Sequence, residues 1–401
     1  MTKAAHDVVF DHIRSEAISQ LTQDLVRAPS HIDNPGKEGK VSSIVEESLR
    51  AMGCEVAQQE IAPNRRNVIG VLKGTGSGRN LLLNGHLDTV PPGTMTDPFS
   101  AVIRDGRVWG RGTADMKGAI ASMLVAMAAV AESPLQLVGN VIFAGTVAEE
   151  TGAAGMCALM DSNRVHADGC VVGEPTSLNI GVAHKGIEWL ELSATGVAAH
   201  ASLPSTGRNA ISHMAELVVA LHRRLLPTLE KRTHDLLGPS TMNIGTIDGG
   251  LRPNIVPERC TVTLDRRWLP GESVESIRQE VDEIIAEVRR AIPELDVTIR
   301  RLPEISHVWH GPYEADEESE ILEVAREAIT TWGSAPPRLI GLPYWTDGAL
   351  VQRTGIPTVI LGPGDPAACH TADESVSVNA LLQAARAYCE IILRFCQGGG
   401  H

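Results

Sequence analysis

Four short stretches limit what this chain can fold into: LLLNGHLDTV (81–90), GNVIFAGTVAEE (139–150), GCVVGEPT (169–176) and PTVILGPG (357–364). Each holds an unbroken apolar run, without the apolar–polar alternation of a strand that has one wet face. Strands of this kind are covered on both faces, as in sheets with parallel strands and crossover helices. NVIGVLKG (67–74) reads as a further strand. Helical apolar spacing runs from about His6 to Arg27, Gly118 to Ala131, Ser319 to Gly333 and Val378 to Cys396. Strands alternating with helices imply an α/β layer with a mixed, mostly parallel sheet flanked by helices.

Near His184 the texture changes. GIEWLELSATG (186–196), TMNIGTIDGG (241–250), RCTVTLDRRWLP (259–270) and DVTIRRL (296–302) alternate like half-exposed strands. NAISHMAELVVALHRRLLPTLE (209–230) and SVESIRQEVDEIIAEVRRAI (273–292) read as amphipathic helices. Strand, helix, two strands, helix, strand is the order of a small α+β sandwich with helices on one sheet face. The chain thus reads as one α/β domain, 1–183 plus 304–401, with an α+β domain, 184–303, inserted into it. A length of 401 residues fits two domains better than one.

Charge and cysteine usage narrow the class. The formal net charge of −14 disfavours nucleic acid and anionic membranes as partners. Seven cysteines, an odd number with irregular spacing and no C-x-x-C, read as reduced thiols of a cytosolic protein. The first twenty residues hold no apolar signal core, and Gly118–Ala131 is short and alanine-rich for a membrane span. The expected location is the cytoplasm.

The polar residues that end the apolar runs carry the chemistry. In NGHLDTV (84–90), His86 and Asp88 are two apart at a strand end and can point to one face. A carboxylate beside an imidazole is a common way to orient a metal-ligating histidine; a chance pair is the ordinary alternative. In WGRGTADMKGAIA (109–121), Asp115 lies between a glycine-rich loop and an apolar helix, and by itself reads as a helix cap. VAEETG (147–152) sets Glu149 beside Glu150, two like charges that repel unless cations are near. A solvated loop is the default for such a pair, weakened here by the buried strand before it and the small residues after it. Glu174 ends the run in VVGEPTS (171–177), and His370 follows the last strand within AACHTADE (367–374).

Taken together these residues lie beyond strand ends, where α/β sheets gather ligands. Two histidines and several carboxylates, with no cysteine paired by spacing, suit zinc, manganese or cobalt and not an iron–sulfur cluster. Divalent metal would offset so many carboxylates at one face.

The order His86-x-Asp88, Asp115, Glu149-Glu150, Glu174, His370 resembles the family of acetylornithine deacetylases, succinyl-diaminopimelate desuccinylases, aminoacylases and glutamate carboxypeptidases. These are two-metal amidohydrolases, and the likeness extends over nearly the whole chain. It implies that His86 and Glu174 bind one metal, Glu150 and His370 the other, and Asp115 bridges both. Asp88 would orient His86, and Glu149 would be the general base. The metals implied are two divalent ions, Zn2+ in the first place, with Co2+ or Mn2+ as alternatives.

The inserted region, by the same resemblance a ferredoxin-like dimerisation and lid domain, matches as well. TGVAAHASLPSTGRNAI (195–211) is similar to the family signature whose histidine, here His200, reaches a neighbouring subunit's site and polarises the scissile carbonyl. GGLRPNIVP (249–257) carries Asn254 at the place of a substrate-contacting asparagine. DRRWLPG (265–271) carries Arg267 where the family holds an arginine for the substrate carboxylate; a plain surface strand residue is the alternative.

Two departures stand out. Ala119 replaces a common second glycine in DMKGA, and Tyr344 with Trp345 in LPYWTDG (342–348) replaces small residues. Aromatics make up only 3% of the chain, so this pair either shapes an apolar or planar part of the substrate site or fills an ordinary loop. The implied enzyme is a homodimer that removes an acyl group from an N-acyl amino acid or similar small carboxylate-bearing amide. A dipeptidase or carboxypeptidase on the same site, and a deaminase or amidase acting on an aromatic substrate, are the alternatives. A non-catalytic binding protein is disfavoured, since every expected position is filled.

Overall fold

The computed structural model describes residues 8–162, 164–303 and 307–397. The chain divides into two compact units, Met1–Val182 with Ala315–Ile340 and Thr346–His401, and Ala183–Glu314 with Gly341–Trp345.

The first unit is built on a mixed sheet in the order Glu55–Ala62, Arg65–Leu72, Val141–Thr146, Leu81–His86, Gly169–Val172, Thr358–Ile360 and the start of Ile180–His184. The four strands Val141–Thr146, Leu81–His86, Gly169–Val172 and Thr358–Ile360 are parallel to one another. The pairs toward both edges are antiparallel. Every residue of the four parallel strands is buried, which is why their sequences do not alternate. Helices Ser15–Val26, Gly118–Glu132, Glu320–Trp332 and Val378–Gln397 pack on one another as one layer, and Gly39–Ala51, Ala154–Asp161 and Gly348–Arg353 cover the sheet from elsewhere.

Two expectations need correction. The first helix does not run unbroken to Arg27: residues 12–14 interrupt it, and Ser15–Val26 is a separate helix (His6 lies outside the described residues). The apolar segment around Gly118 is also longer than its core suggests. Thr113–Glu132 is long and apolar enough to cross a membrane by length and composition. Most of it is buried inside the protein, and that burial, not length, accounts for its apolar character.

Because the central strands are parallel, their carboxyl ends share one edge. His86 is the last residue of its strand, and Glu149 and Glu174 follow the ends of the neighbouring strands at Thr146 and Val172. A small sheet of Ile103–Arg104, Arg107–Trp109 and Ser375–Ser377 joins the segment before Asp115 to the segment after His370.

The second unit has a four-stranded antiparallel sheet in the order Thr241–Gly249, Arg259–Trp268, Gly186–Thr195, Asp296–Arg301. Burial alternates along Gly186–Thr195 and Arg259–Trp268, as expected for a sheet with one packed face. Leu190, Leu192, Val262 and Leu264 meet Met214 and Leu217 of helix Ala210–Ala220 and Ile277 and Val281 of helix Val274–Ala291 in one core. That second helix opens on a reciprocal cap, Ser276 N–H to Ser273 Oγ and Ser273 N–H to Ser276 Oγ, both 3.0 Å.

The turn from strand to helix through VAEETG is held by close packing. A Cβ on Gly155 would lie 2.3 Å from the Val147 carbonyl oxygen and 2.6 Å from Asn67 Oδ1. The buried Asn67 accepts from Val147 N–H (3.0 Å) and donates to the Gly155 carbonyl (2.8 Å), stapling strand end to helix start. Gly155→Ala is therefore expected to destabilise the protein by about 1–3 kcal/mol through overpacking. Urea unfolding of the two proteins measures it; an unchanged midpoint would contradict this packing.

Candidate active site

Three parallel strand ends, one irregular segment and one loop supply the cluster. Asp115 does not cap a helix. Its backbone is extended (φ −125°, ψ 93°), the following helix starts at Gly118, and the Asp115–Met116 peptide is cis. On this extended backbone the carboxylate faces the strand ends. Its Oδ1 lies 2.9 Å from His86 Nε2, and its Oδ2 lies 3.1 Å from His370 Nε2. His86 Nε2 is also 3.6 Å from Glu174 Oε1, and His370 Nε2 is 3.1 Å from Glu150 Oε1. One carboxylate thus stands between two imidazoles, each of which has a further carboxylate of its own. Ligand atoms of His86, Asp115 and Glu150 lie within 4.8 Å of one another.

Asp88 is placed differently from the simplest expectation. His86 Nδ1 is 3.1 Å from the backbone carbonyl of Asp88 and 3.6 Å from its carboxylate. The two carboxylate oxygens accept instead from the backbone N–H groups of Glu149 and Glu150, each at 3.1 Å. Asp88 therefore fixes both the imidazole and the loop that carries the paired glutamates. Ala148, Gly152 and Ala153 hold that loop in left-handed backbone conformations (φ 66°, 106° and 54°), strained for the two alanines. Within it Glu150 turns to His370, while the Glu149 carboxylate makes no hydrogen bond or ion pair among the described residues.

The electrostatics follow from crowding. Burial, with Glu150, Glu174 and Asp347 nearby, pushes the Glu149 carboxyl well above the usual carboxylate range, against the opposing pull of His86. Burial and Asp115 do the same to Glu174, and burial raises Glu150. Hydrogen bonds to Asp115 and Glu150 lift the His370 imidazole to about 10. Burial opposes protonation of His86, but Asp115 and Asp88 outweigh it and raise that group as well. Each shift is a demand for positive charge at this edge, met by protons when nothing else supplies it. Nitrogen and oxygen donors around a shared carboxylate, with two separate imidazole sides, fit two divalent cations.

In the second unit, His200 and Asn254 come together: Ala201 N–H donates to the Asn254 carbonyl at 3.1 Å, and both residues are exposed. His200 Nδ1 accepts from Ser202 N–H at 3.2 Å and lies 2.6 Å from Ser202 Oγ. Arg267 makes a two-pronged pair with Asp265 on the same strand, at 2.8 and 3.0 Å. Trp345 is buried against His310 (ring centroids 4.7 Å apart) and donates to the Gly311 carbonyl at 2.9 Å; Tyr344 beside it is half-buried.

Several residues that position the cluster have no motif of their own. Glu38, 1% exposed and paired with Arg65, accepts from Ala148 N–H at 3.3 Å, just before the paired glutamates. Thr146 Oγ donates to Asp347 at 3.1 Å beneath the strand ends. Glu374 accepts the N–H groups of Ala114 and Asp115. Glu38 and Glu374 lie in polar stretches (NPGKEGK and HTADESV), so nothing in their local sequence marked these roles.

Burial pushes the Asp347 carboxyl up to about 7. Between the ordinary aspartate range and that value the folded protein keeps a proton the unfolded chain has lost, so this group's contribution to stability falls as pH rises through the window. Asp347→Asn keeps an acceptor for Thr146 but cannot ionise. In chelator-treated protein, the variant is expected to gain stability relative to the parent between pH 5 and pH 8, read by urea unfolding at both values. A constant difference between the two proteins would contradict the buried carboxyl.

Residues 82–394 match the model of Peptidase family M20/M25/M40. The chain is 30% identical to an acetylornithine deacetylase of Edwardsiella ictaluri over 94% of its own length and 97% of that protein's. It is 27% identical to an N-formyl-4-amino-5-aminomethyl-2-methylpyrimidine deformylase of Halalkalibacterium halodurans over 95% of both. The aminopeptidase PepT of Bacillus cereus superposes with a TM-score of 0.79 at 25% identity, covering 96% of this chain and 99% of that one. The chain belongs to peptidase family M20/M25/M40 and is a metal-dependent hydrolase of amide C–N bonds.

Proposed function

We propose that this hydrolase removes an acyl group from an N-acyl amino acid or a similar small amide bearing a carboxylate. The observation that carries the reading is Asp115, one oxygen toward His86 and the other toward His370, with an uncommitted Glu149 alongside. In this reading His86 and Glu174 hold one cation, Glu150 and His370 the other, and Asp115 both. Zn2+ suits these donors, with Co2+ or Mn2+ as alternatives. Bound there, the cations supply positive charge for the carbonyl oxygen and ease the ionisation of water.

The protein's own groups do the rest. Glu149 takes a proton from the attacking water and returns it to the leaving amine. Asp88 accepts the backbone N–H of Glu149, and Glu38 accepts that of the preceding Ala148. His200 accepts from Ser202 N–H on Nδ1, so the neutral ring carries its proton on Nε2 and can donate to an oxyanion. By family resemblance it serves the site of a second copy of the chain, in a homodimer formed through the second unit. Asn254 and Arg267 are assigned to the substrate carboxylate. The formal net charge of −14 disfavours nucleic acid and anionic membranes and agrees with a small-molecule substrate.

A second reading has an observation of its own. The Arg267 fork is engaged by Asp265, which leaves it less open to a substrate carboxylate. An amide of an aromatic substrate without a carboxylate, like the formylated pyrimidine named for one relative, would need no such contact. Trp345 does not add to that reading, because its ring is packed and its N–H is already bonded.

A panel of N-acyl amino acids, formylated aminopyrimidines and dipeptides decides the substrate class; the N-acyl amino acids are expected to turn over fastest, and a preference for the formylated pyrimidines would install the second reading. Glu149→Ala is expected to keep both cations and lose activity by at least about 10²–10⁴-fold, whereas Glu150→Ala should lose one cation. Metal analysis beside kcat separates them, and equal metal loss in both variants would overturn the division of roles. Mixing inactive His200→Ala and Glu149→Ala chains should restore one competent site per heterodimer; no recovery in a verified heterodimer would remove His200 from a neighbour's chemistry.

A further inference from the structure

Behind the ligands lies an ion pair that the proposed chemistry does not use. Arg111 and Glu374 are 2% and 0% exposed, and Arg111 Nη1 donates to Glu374 Oε2. Glu374 Oε1 accepts from the N–H groups of Ala114 (3.0 Å) and Asp115 (3.2 Å). Arg111 Nη2 donates to the carbonyl of Thr371, next to His370, at 3.2 Å, and to that of Pro92 at 3.5 Å. The backbone closes the same circuit, with Gly110 N–H donating to the Glu374 carbonyl at 3.1 Å.

A buried ion pair is a poor way to add stability, since an apolar pair of like volume often serves as well or better. What an apolar pair could not do is bind the backbone of two separate segments at once. One of those segments presents Asp115 and the other His370. His86 and Glu174 have firmer support, because His86 ends one central strand, Glu174 closely follows another, and those strands are hydrogen-bonded to each other. His370 lies well beyond the end of its strand, Thr358–Ile360, after the short turn Pro366–Ala368. It sits in a loop with left-handed backbone (φ 62°), its side chain half exposed.

We propose that Arg111 and Glu374 are positioning residues that fix the gap between Asp115 and His370, and so set the affinity of the cation on the His370 side. The inference rests on the ligand assignment proposed above. Neither residue touches a cation or the substrate. They act through the backbone of Asp115 and Thr371, as partners behind a metal site commonly do.

The test is a Co2+ titration of the metal-free full-length protein, read by calorimetry and by the visible spectrum of the bound ion. The parent protein should take up two ions. If it takes up one or none, the ligand assignment fails, independently of the clasp. In Arg111→Lys the charge beside Glu374 is kept and the fork to Thr371 is lost. In Glu374→Gln an amide N–H₂ replaces one acceptor oxygen. Each variant is expected to bind one ion nearly as the parent does and the other about 10–100-fold more weakly, with an altered cobalt spectrum. If Glu374→Gln does not fold, Arg111→Lys alone gives the answer. A general loss of stability would lower the unfolding midpoint without changing the ratio of the two constants. An unchanged ratio, whether both sites weaken alike or neither does, overturns the proposal, as does selective weakening of the ion on the His86 side.

Discussion

Like charge gathered at one sheet edge is the constraint on which the rest of this structure depends. Asp88, Asp115, Glu149, Glu150 and Glu174 converge on two imidazoles with little water to screen them. Left alone, such a cluster would push its own loops apart or take up protons. The fold opposes the first outcome with a sheet whose central strands are buried on both faces and cannot easily move. The second is what a divalent cation replaces. Stability and chemistry are thus coupled through one electrostatic demand.

Restraint of the loops comes mainly from backbone N–H groups, not from side-chain cations at the site. Asp88 takes the N–H groups of Glu149 and Glu150, Glu38 that of Ala148, and Glu374 those of Ala114 and Asp115. Arg65 and Arg111 pair with Glu38 and Glu374 and balance their charge. Dipoles of fixed direction hold the acidic loops without neutralising the carboxylates that bind and react. This is preorganisation in a physical sense: the donors are oriented before any ligand arrives.

Much of the fold was legible because burial leaves a pattern. The unbroken runs at Leu81, Val141, Gly169 and Thr358 announced strands covered on both faces, and alternation along 186–195 and 259–268 announced the sheet with one packed face. The candidate ligands were legible because histidine and carboxylate at such strand ends have few ordinary uses. Other features left no local trace. The break at residues 12–14 interrupts an apolar spacing that would serve a longer helix equally well. Asp115 looked like a cap because sequence does not encode the extended backbone that turns it toward His86. Glu374 acts on a backbone N–H 260 residues away, so its role is defined by topology and not by its neighbours. Trp345 stood out by rarity, yet its surroundings are those of a packed side chain.

The insertion of one unit into the other has a consequence in time. Three of the cluster's strand ends precede the inserted residues, while His370, Glu374 and the strand Thr358–Ile360 follow them. During synthesis Ala183–Glu314 of the second unit is made before the segments that close the first. Until then Asp115 lacks both His370 and the carboxylate that holds its backbone, and the acidic strand ends stand without a full set of partners. The nascent first unit therefore waits, open at its reactive edge, for a segment made last.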